Sequence, residues 1–170
     1  MPRQTAPPPG KALINIHYAN SKPKTEGFNL WDGQGHLVGK LRTHTLNQLA
    51  VDPGDHLLIA GDGEPQVVLK VSTQAGRVYD VKADYDTGGE FGWKVGVDVL
   101  LIPVPTTGPL RDEVTRNESD LTTVAVNRAA PTLQKQEAAS AASVRKVIAD
   151  FTTGPYKDRL TVLAADQYRH

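Results

Sequence analysis

The side chains that could bind a metal or catalyse a reaction are few in this chain, and their spacing matches none of the common sites. Its five histidines form no His-Glu-x-x-His motif, no His-x-His pair and no pair four residues apart on a predicted helix, arrangements that place imidazoles around one zinc ion. They are His17, His36, His44, His56 and His170. Cysteine is absent, which excludes a disulfide and a thiolate ligand. The sequence therefore predicts neither a metal site nor a bound cofactor.

Nucleophiles and paired carboxylates do not indicate an active site either. No serine stands in a Gly-x-Ser-x-Gly turn, which presents a hydroxyl for nucleophilic attack. Aspartates that a glycosidase would need as a pair are explained by turns and strand ends. These are Asp52, Asp55, Asp62, Asp84 and Asp86. We therefore predict no catalytic residue and no enzymatic activity.

Two tryptophans, Trp31 and Trp93, are the remaining candidates for binding. An exposed tryptophan on a sheet can stack on a sugar ring or anchor a protein partner, whereas a buried one fills a core. With so few aromatic residues in the chain, burial is favoured. Both tryptophans stay in the set of possible binding residues.

Composition limits the class of protein. The 170 residues suffice for one domain, and 39% hydrophobic with 22% charged residues is typical of a globular protein. Lysine plus arginine equals aspartate plus glutamate at 19 each, so no net field attracts a nucleic-acid backbone. No apolar run approaches the ~18–20 residues that a membrane span requires. We expect no nucleic-acid partner and no membrane span, with peripheral association with the cell envelope left open.

Short alternating segments between turn signals predict a sheet protein. Residues 12–18 alternate, with Ile14 and Ile16 facing a core and His17 facing solvent. Turn signals at Asp32-Gly33, Pro53-Gly54 and Ala75-Gly76 separate further strands. Additional strands are predicted over 27–31, 36–41, 43–51, 57–60, 66–72, 78–84 and 93–104. Regular punctuation of this kind is typical of a small antiparallel sandwich.

After Pro105 the apolar period becomes helical. A long helix is predicted from about Thr132 to Gly154-Pro155, preceded by a short one near residues 110–119 and followed by an amphipathic helix over 156–168. The apolar stripe of the long helix includes Leu133, Val144, Val147, Ile148 and Phe151. It packs either on the sheet of its own chain or on a partner, so Val144, Ile148 and Phe151 join the possible binding surface.

Three short motifs resemble a bacterial domain-of-unknown-function family of small envelope lipoproteins with PEGA-like domains. The family pattern is a "dG..vG.l" hairpin, a "pPGkHtl" turn and an "aGktYyv" strand. Asp32-Gly33 followed by residues 37–41 resembles the first element, residues 53–57 the second and residues 75–81 the third. The chain departs from the pattern at Asp55 and Asp80, and it has no cysteine for lipidation. The resemblance implies an immunoglobulin-like or transthyretin-like β-sandwich outside the cytoplasm, with no assigned catalytic residues.

Together these patterns predict a mainly β protein in three parts. Residues 1–10 form a proline-rich tether, 11–105 an antiparallel immunoglobulin-like or transthyretin-like β-sandwich, and 106–170 a linker with a helical C-terminal extension. The tether is typical of a segment behind a processed export signal, although a cytosolic tail has the same composition. The predicted function is a non-enzymatic scaffold or protein-binding module of the periplasm or cell envelope, with a cytoplasmic location left open. It contacts its partner, or itself, through a sheet edge or the tail helix. The alternatives are a carbohydrate-binding module that presents a tryptophan and a structural subunit connected through its tail helix.

Overall fold

The chain is mainly β, with two mixed sheets of five strands each and two helices. The computed structural model describes residues 2–19, 27–85 and 99–169. Its strands are β1 Ala12–Tyr18, β2 Phe28–Asp32, β3 Leu37–Leu41, β4 Thr45–Val51, β5 Gly54–Gly61, β6 Val67–Thr73, β7 Val78–Tyr85, β8 Val99–Pro103, β9 Thr122–Val124 and β10 Thr161–Leu163. The helices are α1 Pro109–Asn117 and α2 Pro131–Thr152, and short 3-10 turns span Glu118–Asp120 and Lys157–Arg159.

The strand order is β8-β7-β1-β4-β9 in one sheet, called sheet A, and β10-β6-β5-β2-β3 in the other, called sheet B. The prediction that all strands are antiparallel is wrong, because β1 with β7, β4 with β9 and β6 with β10 pair in parallel. Parallel neighbours need a long connection, and in each pair the chain leaves the sheet and returns to it much later. Local turn signals, which report only adjacent antiparallel strands, carry no information on such pairs.

The two sheets pack face to face in a sandwich-like arrangement. One apolar core cluster takes residues from both sheets. Sheet A contributes Ile14, Ile16, Tyr79 and Val81, and sheet B contributes Phe28, Leu30, Leu58 and Leu69. Along β1 and β7 these residues are spaced by two, so the predicted alternation does identify the face that meets the other sheet.

Helix α2 packs against the outer face of sheet B. A second apolar cluster joins the sheet residues Trp31, Leu37, Ile59 and Val68 to the helix residues Val144, Val147 and Phe151. The Trp31 indole Nε1 donates a hydrogen bond of 3.1 Å to Ser140 Oγ on the helix. The helix begins at Pro131 and ends just before Gly154, which confirms the predicted bounds. Its apolar stripe is therefore covered by the sheet of its own chain.

The remainder of the tail differs from the sequence prediction. The short helix near 110–119 is confirmed as α1. The helix predicted over 156–168 is wrong, because that segment forms a 3-10 turn and the strand β10, whose Leu163 is fully buried beside β6. The branched pair Thr161-Val162 suits a strand better than a helix. The tail thus supplies an edge strand to each sheet, β9 to sheet A and β10 to sheet B.

Strand β1 is buried on both faces, whereas a half-buried strand was predicted. All seven of its residues are buried, and His17, expected to face solvent, is 3% exposed. The reason is that α1 and both chain ends cover the outer face of sheet A, as the contacts below show. The sequence also predicts a polar, lysine-rich loop over 20–25 and a glycine-containing loop over 86–90. Both segments, and the first six residues of the strand predicted over 93–104, lie outside the described residues. Neither helix in the described part of the chain combines the length and apolarity needed to cross a bilayer.

Candidate functional site

The first candidate site is a buried carboxylate on the outer face of sheet A, where several charged side chains meet. Asp80 lies in the middle of β7, opposite Asn15 of β1 in the register, and is 0% exposed. His17 lies two residues further along β1, and therefore on the same face as Asn15. Helix α1 brings Arg111 to this face, and the C-terminal segment brings Arg169. We call these five residues the Asp80 cluster.

Every residue of the Asp80 cluster contacts the carboxylate. His17 Nε2 lies 2.7 Å from Asp80 Oδ1, and Asn15 Nδ2 donates to the same oxygen at 3.1 Å. Arg169 donates twice, from Nε to Oδ2 at 2.9 Å and from a terminal nitrogen to Oδ1 at 2.7 Å. Arg111 donates to Oδ2. Both carboxylate oxygens are thus occupied by charged or amide donors, a fully satisfied arrangement.

This environment keeps Asp80 ionised. Burial by itself raises the pKa of Asp80, but hydrogen bonds from His17 and Arg169 and the positive charge of Arg169 outweigh burial. The pKa of Asp80 therefore lies well below its usual value. A buried carboxylate of this kind is stable as an anion only while its donors stay in place.

A second carboxylate extends the cluster to the N-terminal segment. Glu118, in the 3-10 turn after α1, accepts a hydrogen bond of 3.2 Å from Arg169 and forms an ion pair with Arg3. Gln4 and Gln48 hydrogen-bond to each other in both directions, at 2.8 Å each. The N-terminal segment, through Arg3 and Gln4, and the C-terminal segment, through Arg169, therefore contact the same face of sheet A.

A metal ion does not suit this group of residues. Donor atoms of His17, Asp80 and Glu118 lie within 4.8 Å of one another, which is close enough for shared coordination. However, the two carboxylates are surrounded by three guanidinium groups, so the charge of the neighbourhood already exceeds neutrality on the positive side. A cation would have to displace arginines that are themselves partly buried. We interpret the network as an ion-paired structural element.

The His17–Asp80 pair also resembles the base and orienting carboxylate of a hydrolase, but none of the described residues supplies a nucleophile to it. The Nδ1 atom of His17 is buried, and no described residue makes a hydrogen bond to it. General-base catalysis needs the reacting hydroxyl or thiol within hydrogen-bond reach of the imidazole. The arrangement therefore holds a histidine in place without giving it a reacting partner in the described part of the chain.

A second candidate site lies where strand β9 stops. Strand β9 pairs only with residues 45–47 of β4, although β4 continues to Val51. The burial of β4 decreases at this point, from three buried residues to partly buried and exposed ones. A groove of about 540 Å³ lies here, between the second half of β4, the β2–β3 turn and β5.

The groove has an apolar lining and a polar rim. Its partly buried lining residues include Val38, Leu49, Val51 and Leu57, and the buried Ile14 and Leu58 lie at its floor. Its polar residues include Asp32, Gln48, Asp55 and His56. A concave apolar surface with a few polar groups around it is the usual composition of a binding site.

The residues predicted to form a binding surface are placed mostly inside the molecule. Trp31 is 1% exposed, and Val144 and Phe151 are buried against the same sheet. Ile148 is partly buried beside them, and Trp93 lies outside the described residues. The described members of this set therefore join α2 to sheet B. Sequence reasoning missed the Asp80 cluster, although an aspartate between Tyr79 and Val81, in a strand otherwise apolar at that point, was an available signal.

No protein-family model matches the chain, and a search of curated proteins returns no significant match.

Proposed function

We propose that this protein is a non-enzymatic protein-binding module, and that the groove beside the second half of β4 is its binding surface. The observation that carries the proposal is the groove itself, in which Val38, Leu49 and Val51 remain partly exposed between two otherwise packed sheets. Apolar surface in a concavity gains most when a partner removes it from water.

The rest of the molecule supports this choice of surface. The outer face of sheet B is covered by α2, and Asp80 on the outer face of sheet A is enclosed by α1 and both chain ends. The acid and base groups at Asp80 already bind one another. The carbohydrate alternative loses its support at Trp31, because a sugar ring cannot stack on an indole that α2 covers. The envelope location and the immunoglobulin-like or transthyretin-like topology stay predictions.

The experiment is a selection of displayed heptapeptides on the full chain, followed by binding measurements on variants. Val38→Asp and Leu49→Asp each place a charge in the groove and are expected to weaken binding of the selected peptides at least about tenfold. The matched control is Val162→Asp, since Val162 is 49% exposed on β10, away from the groove. Circular dichroism checks that each variant is folded.

Peptides that bind the groove variants and the control equally well would overturn the proposal, as would a selection that enriches no peptide. A glycan that binds the full chain while peptides do not would support the carbohydrate alternative.

A further inference from the structure

We propose that the partner is an extended peptide segment that adds to sheet A as a further strand, alongside residues 48–51 of β4. This inference rests on the proposed function, because it names the partner class of the same groove. It concerns the backbone of the partner, whereas the proposed function concerns only the apolar lining.

No backbone hydrogen bond from the described residues occupies the outward side of Ala50, where such a segment would pair. Thr122 N–H donates to His44 C=O, so residue 44 directs its backbone groups toward β9. Successive residues of a strand direct these groups to opposite sides, and residues 46, 48 and 50 therefore share that direction. Because β9 stops opposite Asn47, the N–H and C=O of Ala50 meet no described strand. Ala50 is exposed, so a partner can reach both groups.

The backbone of the edge strand β3 is occupied in a way that the backbone of Ala50 is not. Strand β3 is the edge of sheet B, and side chains occupy its outward backbone groups. Asn47 binds both Lys40 N–H and Lys40 C=O, at 3.3 and 3.2 Å. Glu137 accepts from Leu37 N–H at 2.8 Å, and Arg128 donates to Leu37 C=O at 3.3 Å. Side chains that satisfy an edge residue by residue prevent strand addition there, and Ala50 has no equivalent among the described side chains.

The groove also predicts the side chains of the partner. Leu49 and Val51 of β4 face the interior between the sheets, because Leu49 lies opposite the core residue Ile14 in the register. A strand added beside them alternates in the same way, so every second residue enters the groove toward Val38. The free half of β4 spans about 13 Å, at ~3.3 Å per residue, which suits four or five residues. The partner is therefore a short extended segment with apolar residues at alternate positions.

The experiment uses the groove-dependent heptapeptides from the selection, resynthesised with N-methyl groups at alternate residues in two sets. Methylation removes the backbone donor and leaves every side chain in place. We expect one set to bind about tenfold more weakly and the other to bind as the parent does, since only one set of N–H groups faces β4. Nuclear magnetic resonance of the labelled full chain should show slowed exchange of the Ala50 amide on binding.

Two variants at one position test the same point from the protein side. Ala50→Pro removes the exposed N–H, and Ala50→Gly keeps it as the matched control. We expect the first to weaken binding about tenfold and the second to change it little. If Ala50→Pro does not fold, the methylated peptides still decide the question.

Groove-dependent peptides that tolerate both methylation sets would overturn strand addition and leave the proposed function standing. Failure to obtain any groove-dependent peptide is a different result, since it contradicts the proposed function itself.

Discussion

Asp80 is the residue on which most of the polar organisation depends. It receives hydrogen bonds from two residues of β1, from α1 and from the C-terminal segment, with no exposure to water. A buried charge of this kind adds little net stability over an apolar residue, but removing one partner leaves the others uncompensated. Because Arg111, Arg169 and His17 all bind this one carboxylate, Asp80 joins α1 and the C-terminal segment to β1.

Replacing Asp80 by asparagine keeps the size of the side chain and removes its charge. We expect Asp80→Asn to lower the free energy of unfolding by about 3–5 kcal/mol, because the buried Arg111 guanidinium then lacks its counter-charge and the partly buried Arg169 keeps only Glu118. Urea unfolding followed by circular dichroism measures the loss. The matched control is Asp55→Asn, at an exposed ion pair with Lys70, where we expect the unfolding midpoint to change little. Equal midpoints for the Asp80 variant and the wild type would contradict the structural role.

The same carboxylate predicts an acid dependence of stability. The pKa of Asp80 is lowered in the folded state, so its contribution is fully present above the pKa of the unfolded chain, about 3.9. As the pH falls below that value, Asp80 becomes protonated in the unfolded chain but stays ionised in the folded chain, so the free energy of unfolding decreases. We expect a steeper loss between about pH 5 and pH 2 in the wild type than in Asp80→Asn. Parallel curves for the two proteins would show that other carboxylates cause the acid sensitivity.

At the scale of elements, α2 covers the outer face of sheet B, and the three-residue strands β9 and β10 each cover part of a sheet edge. Helix α2 covers Trp31 and Ile59 on sheet B, and its Ser140 satisfies the Trp31 indole. Strands β9 and β10 lie at the edges of different sheets, although both come from the same tail. Edge strands of this length limit the backbone that is open to pairing with other molecules.

The contact between α2 and sheet B can be measured by removing one aromatic ring. We expect Phe151→Ala to lower the free energy of unfolding by about 3–5 kcal/mol, because the ring is buried between the helix and the sheet. Ile148→Ala, at a partly buried position of the same helix, should cost clearly less. Thermal or urea unfolding of the two variants distinguishes them. A larger loss for Ile148→Ala would mean that the helix packs through a different face.

At the scale of the whole molecule, the two ends of the chain meet on one face. Arg3 from the first residues and Arg169 from the last both contact Glu118, and Arg169 also holds Asp80. The Tyr79 hydroxyl donates to Ala165 C=O at 2.9 Å, which holds the C-terminal segment against β7. The C-terminal segment is therefore held against sheet A by its own hydrogen bonds and ion pairs. This contact is separate from the packing of α2 on sheet B.

Truncation tests whether the segment 11–105 folds alone, as its assignment to a separate domain predicts. A chain ending at Thr107 loses β9, β10, α2 and the arginines that hold Asp80, so we expect it to lack cooperative unfolding in urea. A chain that lacks residues 1–10 is the control, because it loses only the contacts of Arg3 and Gln4 and should fold with reduced stability. A cooperative, native-like unfolding transition in the chain ending at Thr107 would show that residues 11–105 fold as an independent domain.

Local patterns carried the sequence predictions that proved right. The strand over 12–18, the end of α2 near Gly154 and the turn at Gly76, where φ is 76°, each follow from neighbouring residues alone. Alternation likewise identifies Ile14 and Ile16 as core residues. These properties are local because period and turn geometry are set by a few consecutive side chains.

Pairing, burial of polar groups and the groove were decided only by the tertiary structure. His17 and Asp80 are 63 residues apart in the sequence, and the residues around each of them do not predict their contact. The alternation around His17 is the same whether its outer face meets water or α1, so solvent exposure was a reasonable prediction and a wrong one. The groove lies beside the part of β4 that β9, a three-residue strand from the tail, does not reach. Contacts between distant segments depend on how the whole chain closes, and a local pattern holds no information about that closure.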